Sequence, residues 1–155
     1  MAKIDPSWTI KTYPEDLKSK ITELLKETET TRNLLDDLDK EIQTAQSIED
    51  FKNIAKRAVG NGNYLRKKLG KLVAGVKNTQ SSRFLEIKLE CAKSGFDFVS
   101  TVAQEDASAF VGPLRSARDI MEAYVVSADN IISICRLNIV DQRQLQSTAS
   151  VQVEP

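Results

Sequence analysis

Apolar residues recur along most of this chain at alternating spacings of four and three, the period of a helix that packs against other helices. The first such seam is Leu17, Ile21, Leu24, Thr28, Thr31, Leu35, Leu38, Ile42 and Ala45, with Leu25 and Leu34 widening it. Pro14 suits a first helical position, and Glu15 and Asp16 supply acids to the first turn, where the helix dipole favours them. Residues 1–13 read as an irregular lead-in in which Trp8, Ile10 and Tyr13 fold back over one end of a core.

The second seam is Ile48, Phe51, Ala55, Ala58, Gly62, Leu65, Leu69, Leu72 and Val76. Ser47 with Asp50 resembles a capping box at its start, with Asp in the place of the usual Glu or Gln. The spacing runs unbroken through Gly60-Asn61-Gly62, which places Gly62 inside the helix at a tight crossing. Small polar residues from Asn78 to Ser82 read as a turn.

Two adjacent stripes follow: Phe84, Ile87, Cys91, Phe98 and Val102 in one, Leu85, Leu89, Ala92, Phe96, Val99, Ala103 and Phe110 in the other. Gly112-Pro113 closes that segment and opens the next. The last seam is Leu114, Ala117, Met121, Tyr124, Ala128, Ile131 and Cys135, flanked by Val125, Ile132 and Ile139. Its β-branched residues are compatible with strands around 127–130, but the continuous helical period favours a helix. From Asp141 the chain turns polar.

These patterns predict an all-α fold: an antiparallel up-down four-helix bundle in one domain over residues 1–140. Its helices fall at about 14–46, 47–78, 83–111 and 113–140, with a flexible C-terminal tail at 141–155. A chain of 155 residues with only 6 glycines and 4 prolines fits this, because few breakers mean few turns.

Composition narrows the chemistry. With no histidine, the usual serine and cysteine triads, imidazole-ligated metals and Glu-x-x-His metal motifs of bundles are excluded. Cys91 and Cys135 are too few for a zinc site or a disulfide framework; they read as buried free thiols on adjacent helices, within about one turn of each other along the axis. Asp36-Asp37-x-Asp39 resembles the start of a calcium loop but lacks its glycine and distal glutamate. Gly60-Asn61-Gly62-Asn63 matches no phosphate-binding loop pattern. No catalytic, cofactor or metal residues are assigned, and a non-enzymatic protein is expected. The N-terminus lacks a signal peptide's apolar stretch, and no run of 18 apolar residues occurs, so a cytoplasmic location is expected.

Charge and apolarity supply two candidate surfaces. Between Phe51 and Leu85 there are nine basic residues and no acid, whereas Glu15 to Asp50 holds eleven acids and five bases, a net of −6. The chain is neutral as a whole. Pairing between the first two helices accounts for much of this, with Asp36 and Asp37 level with Lys56 and Arg57, and Glu23 and Glu27 near Arg66, Lys67 and Lys68. These three consecutive residues span about 200° of helix, so at least one points into solvent. Arg66, Lys67, Lys68 and Lys71 are therefore the candidate patch for an acidic partner or an anionic membrane surface. Nucleic acid is the weakest option, since Tyr64 alone offers a stacking ring nearby.

Apolar types fill 15 of 29 positions in 84–112 and 16 of 28 in 113–140, against 9 of 32 in 15–46. The C-terminal helices thus carry more apolar surface than one seam needs. Phe96, Val99, Phe110, Val125, Ile132 and Ile139 form the candidate apolar interaction face. The leading expectation is an interaction or scaffold module that binds a protein partner or itself through this face, with no small-molecule substrate. The rival is a membrane-active bundle, of the pore-forming or cell-death type, that meets anionic lipid through its basic second helix.

Overall fold

A computed structural model describes residues 15–151. The expectations for Trp8, Ile10, Tyr13 and Pro14, and for the end of the chain beyond Val151, lie outside the described residues. Helix accounts for 93% of what is described, in four elements with no strand among them. These are α1 (Glu15–Thr44), α2 (Ile48–Ser94), α3 (Ser100–Phe110) and α4 (Gly112–Val151).

The predicted turn at 78–82 is not a turn. Helix α2 passes straight through it, because the segment holds no glycine or proline and the seam continues in polar form. Arg83 takes the place of an apolar residue between Val76 and Ile87, and its side chain is buried. The chain breaks instead at Gly95, which adopts φ +71. The Phe96 amide donates to the Cys91 carbonyl at 3.1 Å, and Phe96 packs against the buried cluster of Ile87, Cys91 and Ala103. That combination is a Schellman cap, with glycine at the left-handed position and an apolar contact closing it. Helix α3 is consequently 11 residues long rather than the 29 expected from 83–111. A single residue, Val111, separates it from α4, and the predicted break at Gly112-Pro113 stands close to there.

The polar stretch after Val140 is helical to Val151 rather than an irregular tail. Its sequence, Asp141-Gln-Arg-Gln-Leu-Gln, contains good helix formers and no breaker, so propagation from α4 costs little. Ser147, Thr148 and Ser150 each return a hydroxyl hydrogen bond to a carbonyl three or four residues back.

The chain divides into two compact units: 27–68 with 121–151, and 15–26 with 69–120. In the first of these, Glu41 pairs with Arg57 at 2.7 Å and Glu27 pairs with Lys68, so contacts fall along α1 as they rise along α2. Gly62 of α2 faces Ala128 of α4, and the Cys135 thiol meets the Ala55 backbone, again in opposite order. Tyr124 bonds to Asp36 at 3.1 Å and Gln142 to the Gln46 carbonyl at 2.8 Å, in the same order on α4 and α1. The core of this unit is Thr28, Leu35, Leu38, Phe51, Ile54, Ala58, Leu65, Met121, Val125, Ala128, Ile131, Ile132 and Cys135, all buried.

In the other unit, α2 pairs with α3 and the start of α4. Arg83 bonds to Asp106 at 3.0 Å, and Gln80 accepts from Arg115 at 3.1 Å. Leu72, Val76, Ile87, Cys91, Ala103, Ala107, Val111, Leu114 and Ala117 are buried here, and Phe84 and Phe98 meet edge to face at 5.6 Å. Cys91 and Cys135 are both buried and free, but they belong to different units. Because α2 runs on to Ser94, Cys91 lies on that helix and not on a separate third one, which removes the expected neighbouring pair.

The α1–α2 connection is capped as the sequence suggests. The Asp50 amide donates to Ser47 Oγ at 3.1 Å, and the Ser47 amide donates to Asp50 Oδ2 at 3.0 Å. Hydrogen bonds from the Ser47 side chain, then from the Ser47 and Gln46 amides, hold the Asp50 carboxyl below its ordinary value of 3.8. A depressed carboxyl stabilises the fold above its unfolded pKa and loses that contribution as the pH falls through its folded one. Ser47→Ala, which removes the capping hydroxyl, should cost about 1 kcal/mol at neutral pH. The melting-temperature gap between the parent and Asp50→Asn should shrink as the pH drops below 3.8. A gap that is constant with pH would show that the carboxylate does not cap.

Candidate functional site

The basic residues of α2 divide into paired and free groups. Lys68 pairs with Glu27 across the α1–α2 contact and lies 5.3 Å from the Tyr64 ring centroid; the Tyr64 hydroxyl bonds to the same carboxylate at 3.3 Å. The hydrogen bond from Lys68 to Glu27 raises the Lys68 pKa above its usual value. Arg66 pairs with Asp129 of α4 and with Asn63, one turn back on its own helix, at 2.8 Å. Lys67 and Lys71 are exposed. The candidate anionic-partner patch thus reduces to two free lysines, since Arg66 and Lys68 are engaged in pairing. Arg57 meets Glu41 rather than Asp36 or Asp37, one turn further along α1 than expected. Asp36 serves Tyr124, whose hydroxyl titrates higher than usual through burial and then through that hydrogen bond.

The six residues of the candidate apolar face do not form one surface. Val125 and Ile132 are buried in the core. Phe96, Phe110 and Ile139 are half-buried, and Val99 alone is exposed. Phe110 stacks on the Arg83 guanidinium, 5.2 Å from it. Phe96, Val99 and Phe110 also belong to one unit, and Val125, Ile132 and Ile139 to the other.

Solvent meets a different set on α4. Val126, Ile134, Leu137, Val140 and Leu145 are between 42% and 70% exposed. Counted at 100° per residue from buried Ala128, Leu137 points directly away from the core, with Val126, Ile134 and Val140 within about 60° of it. Sequence reasoning named neighbours of these residues but not the residues themselves. The signal was present, since they are apolar positions that fall outside both the seam and its flank.

Two open grooves lie elsewhere on the surface. One, of about 390 Å³, is lined by Lys77, Gln80, Ser81, Phe84, Leu85, Gln104 and Ala107. The other, of about 400 Å³, lies against Glu41, Thr44, Asp50, Asn53 and Arg57, whose charged groups are committed to the cap and to the Arg57–Glu41 pair. Among the described residues no cluster of three or more acidic or cysteine side chains is placed to hold a metal ion.

The chain matches no family model, no curated protein and no solved structure. By length and composition α4 is apolar enough to cross a membrane, a test that the core helix of a soluble protein also passes when it is mostly buried. Here only 28% of its most apolar stretch is buried.

Proposed function

We propose that this chain is an antiparallel helical bundle acting as a non-enzymatic interaction module, and that it docks a protein through the outward face of α4. The observation that carries this reading is the row Val126, Ile134, Leu137 and Val140, opposite the core on a helix whose inner face is already filled. Apolar side chains aligned over several turns on solvent are costly to leave in water, and such patches mark sites of association. The absence of histidine and the commitment of the grouped charges to pairing leave little for catalysis to use.

Leu137→Asp tests the reading. It should leave the helical circular dichroism unchanged, because the side chain is 65% exposed. It should also abolish association, followed by light scattering over a wide concentration range and by retention of proteins from a native extract. Association or retention that Leu137→Asp leaves unchanged would place docking elsewhere.

A second reading follows from the apolarity of α4 together with the exposed Lys67 and Lys71. The chain would approach an anionic bilayer through those lysines and insert the α4 face. Salt-sensitive binding to anionic but not neutral vesicles supports this reading, and no binding to either rejects it.

A further inference from the structure

Along one edge of the α4 apolar row stand Glu122, Asp129, Arg136 and Arg143, seven residues apart and all exposed. Seven residues is nearly two helical turns, so the four side chains line up beside the row with the charge order minus, minus, plus, plus. We infer that the partner seated on this face is a second copy of the chain, its α4 laid antiparallel to the first about a twofold axis between Ile131 and Ile132. The inference rests on the docking role proposed for α4 and specifies its occupant.

A charge order of this kind is self-complementary only when reversed. In the antiparallel register Arg136 faces the second copy's Asp129, Arg143 faces its Glu122, and symmetry repeats both pairs. A parallel copy in register would set this edge beside the opposite edge of its neighbour and leave Glu122, Asp129 and Arg143 without charged partners. The same antiparallel register fills the seam: Leu137 lies on the second copy's Val126, and Val140 on its Ala123. At the centre, Asn130 meets Ser133 from each side. Asn130 and Ser133 are both exposed on the outward side of the helix. Ser133 already donates its hydroxyl to the Asp129 carbonyl at 2.9 Å and keeps acceptor capacity for an asparagine amide. A polar layer inside an apolar seam fixes register in helix pairs. Against lipid, the same two groups would be buried without partners. An anionic bilayer would also repel the Glu122–Asp129 half of the row. Asp129 holds Arg66 of its own chain as well, so the second copy's Arg136 joins a carboxylate with oxygens to spare.

The paired stretch from Ala123 to Val140 is about 26 Å long, a narrow contact that should give a weak dimer sensitive to salt. Sedimentation equilibrium of the full chain tests it, with two variants made alongside: Glu122→Arg/Asp129→Arg, whose row is wholly basic, and Arg136→Glu/Arg143→Glu, whose row is wholly acidic. The parent should dimerise, and more weakly as salt rises. Each variant alone should bind itself on the order of tenfold more weakly or not at all. An equal mixture should recover the dimer, because basic row then meets acidic row. Circular dichroism of each variant confirms that it folds. A parent monomeric at all concentrations overturns the inference, as does a mixture that fails to associate, or a dimer that neither the reversals nor Leu137→Asp weakens. If the parent is monomeric but retains another protein in a Leu137-dependent way, the docking role stands and the second copy is excluded. Vesicle binding by a monomeric parent that captures no protein removes both.

Discussion

Gly62→Leu is expected to destabilise the fold by about 1–3 kcal/mol, the range for overpacking a filled helix contact. In a chain of this size the melting temperature should fall by about 2–4 °C per kcal/mol. A Cβ at Gly62 would lie 3.0 Å from the Ala128 Cβ, so even alanine requires α2 or α4 to yield slightly. Leucine adds three further carbons at a buried position, one turn from buried Ala58 and Leu65 on the same helix and against buried Ala128 on α4. Asn61, one residue away, is only half-buried, and its amide donates to the Arg57 carbonyl of its own helix at 2.9 Å. Asn61→Leu should accordingly stay close to the parent. Gly60, whose Cβ would meet nothing within 4 Å, supplies the control: alanine there should gain up to about 1 kcal/mol from helix propensity. Urea denaturation midpoints for the three variants decide the matter. Equal losses at positions 61 and 62 would mean that the helix contact does not depend on close approach at Gly62.

That contact was legible in the sequence because the four-three spacing outweighed the local preference of glycine for breaks. The same is true of α1, where every residue of the expected seam from Leu17 to Ala45 is buried or half-buried. Two threonines sit in that seam, and Thr28 is fully buried. The position of the break after α2 was not legible from composition. Asn78 to Ser82 look like a turn because they are small and polar. They remain helical because Gln80 and Arg83 find partners in Arg115 and Asp106, each at least 23 residues further along the chain. The stopping signal was a lone glycine at 95, which acts only together with the Phe96 contact that closes the cap.

The charged surface was legible in its amounts but not in its pairings. Six acids lie on α1 from Glu27 to Glu41, and of these Glu41 and Glu27 pair across to α2, with Arg57 and Lys68. The apolar face was misplaced for a geometric reason. A shift of one residue rotates the outward direction by about 100°, and of two by about 200°, so Val125 and Val126, or Ile132 and Ile134, exchange core for solvent. Composition does not resolve that phase when both neighbours are apolar.

Arg83 provides the other large expected effect. Its side chain is 2% exposed in the middle of an otherwise apolar seam. Its Nε donates to Asp106 at 3.0 Å, a terminal nitrogen to Glu86 at 2.8 Å, and its plane lies near the Phe110 ring. Burial works against the guanidinium charge, but the two carboxylates outweigh it, so the pKa of Arg83 is raised. Asp106→Ala should cost about 3 kcal/mol, since it leaves a buried cation whose remaining carboxylate, on Glu86, is largely in solvent. Arg83→Met/Asp106→Ala should recover most of that loss, because methionine fills the space of the arginine stem without a charge to solvate. The pair would then act on register more than on stability. It aligns α2 with α3 at one position, where a slip by one turn would bury an unpaired arginine, while apolar neighbours such as Ile87 and Ala103 tolerate displacement. Thermal melts of the single and double variants separate the two roles. A double variant as unstable as Asp106→Ala would show instead that the ion pair is itself a net source of stability.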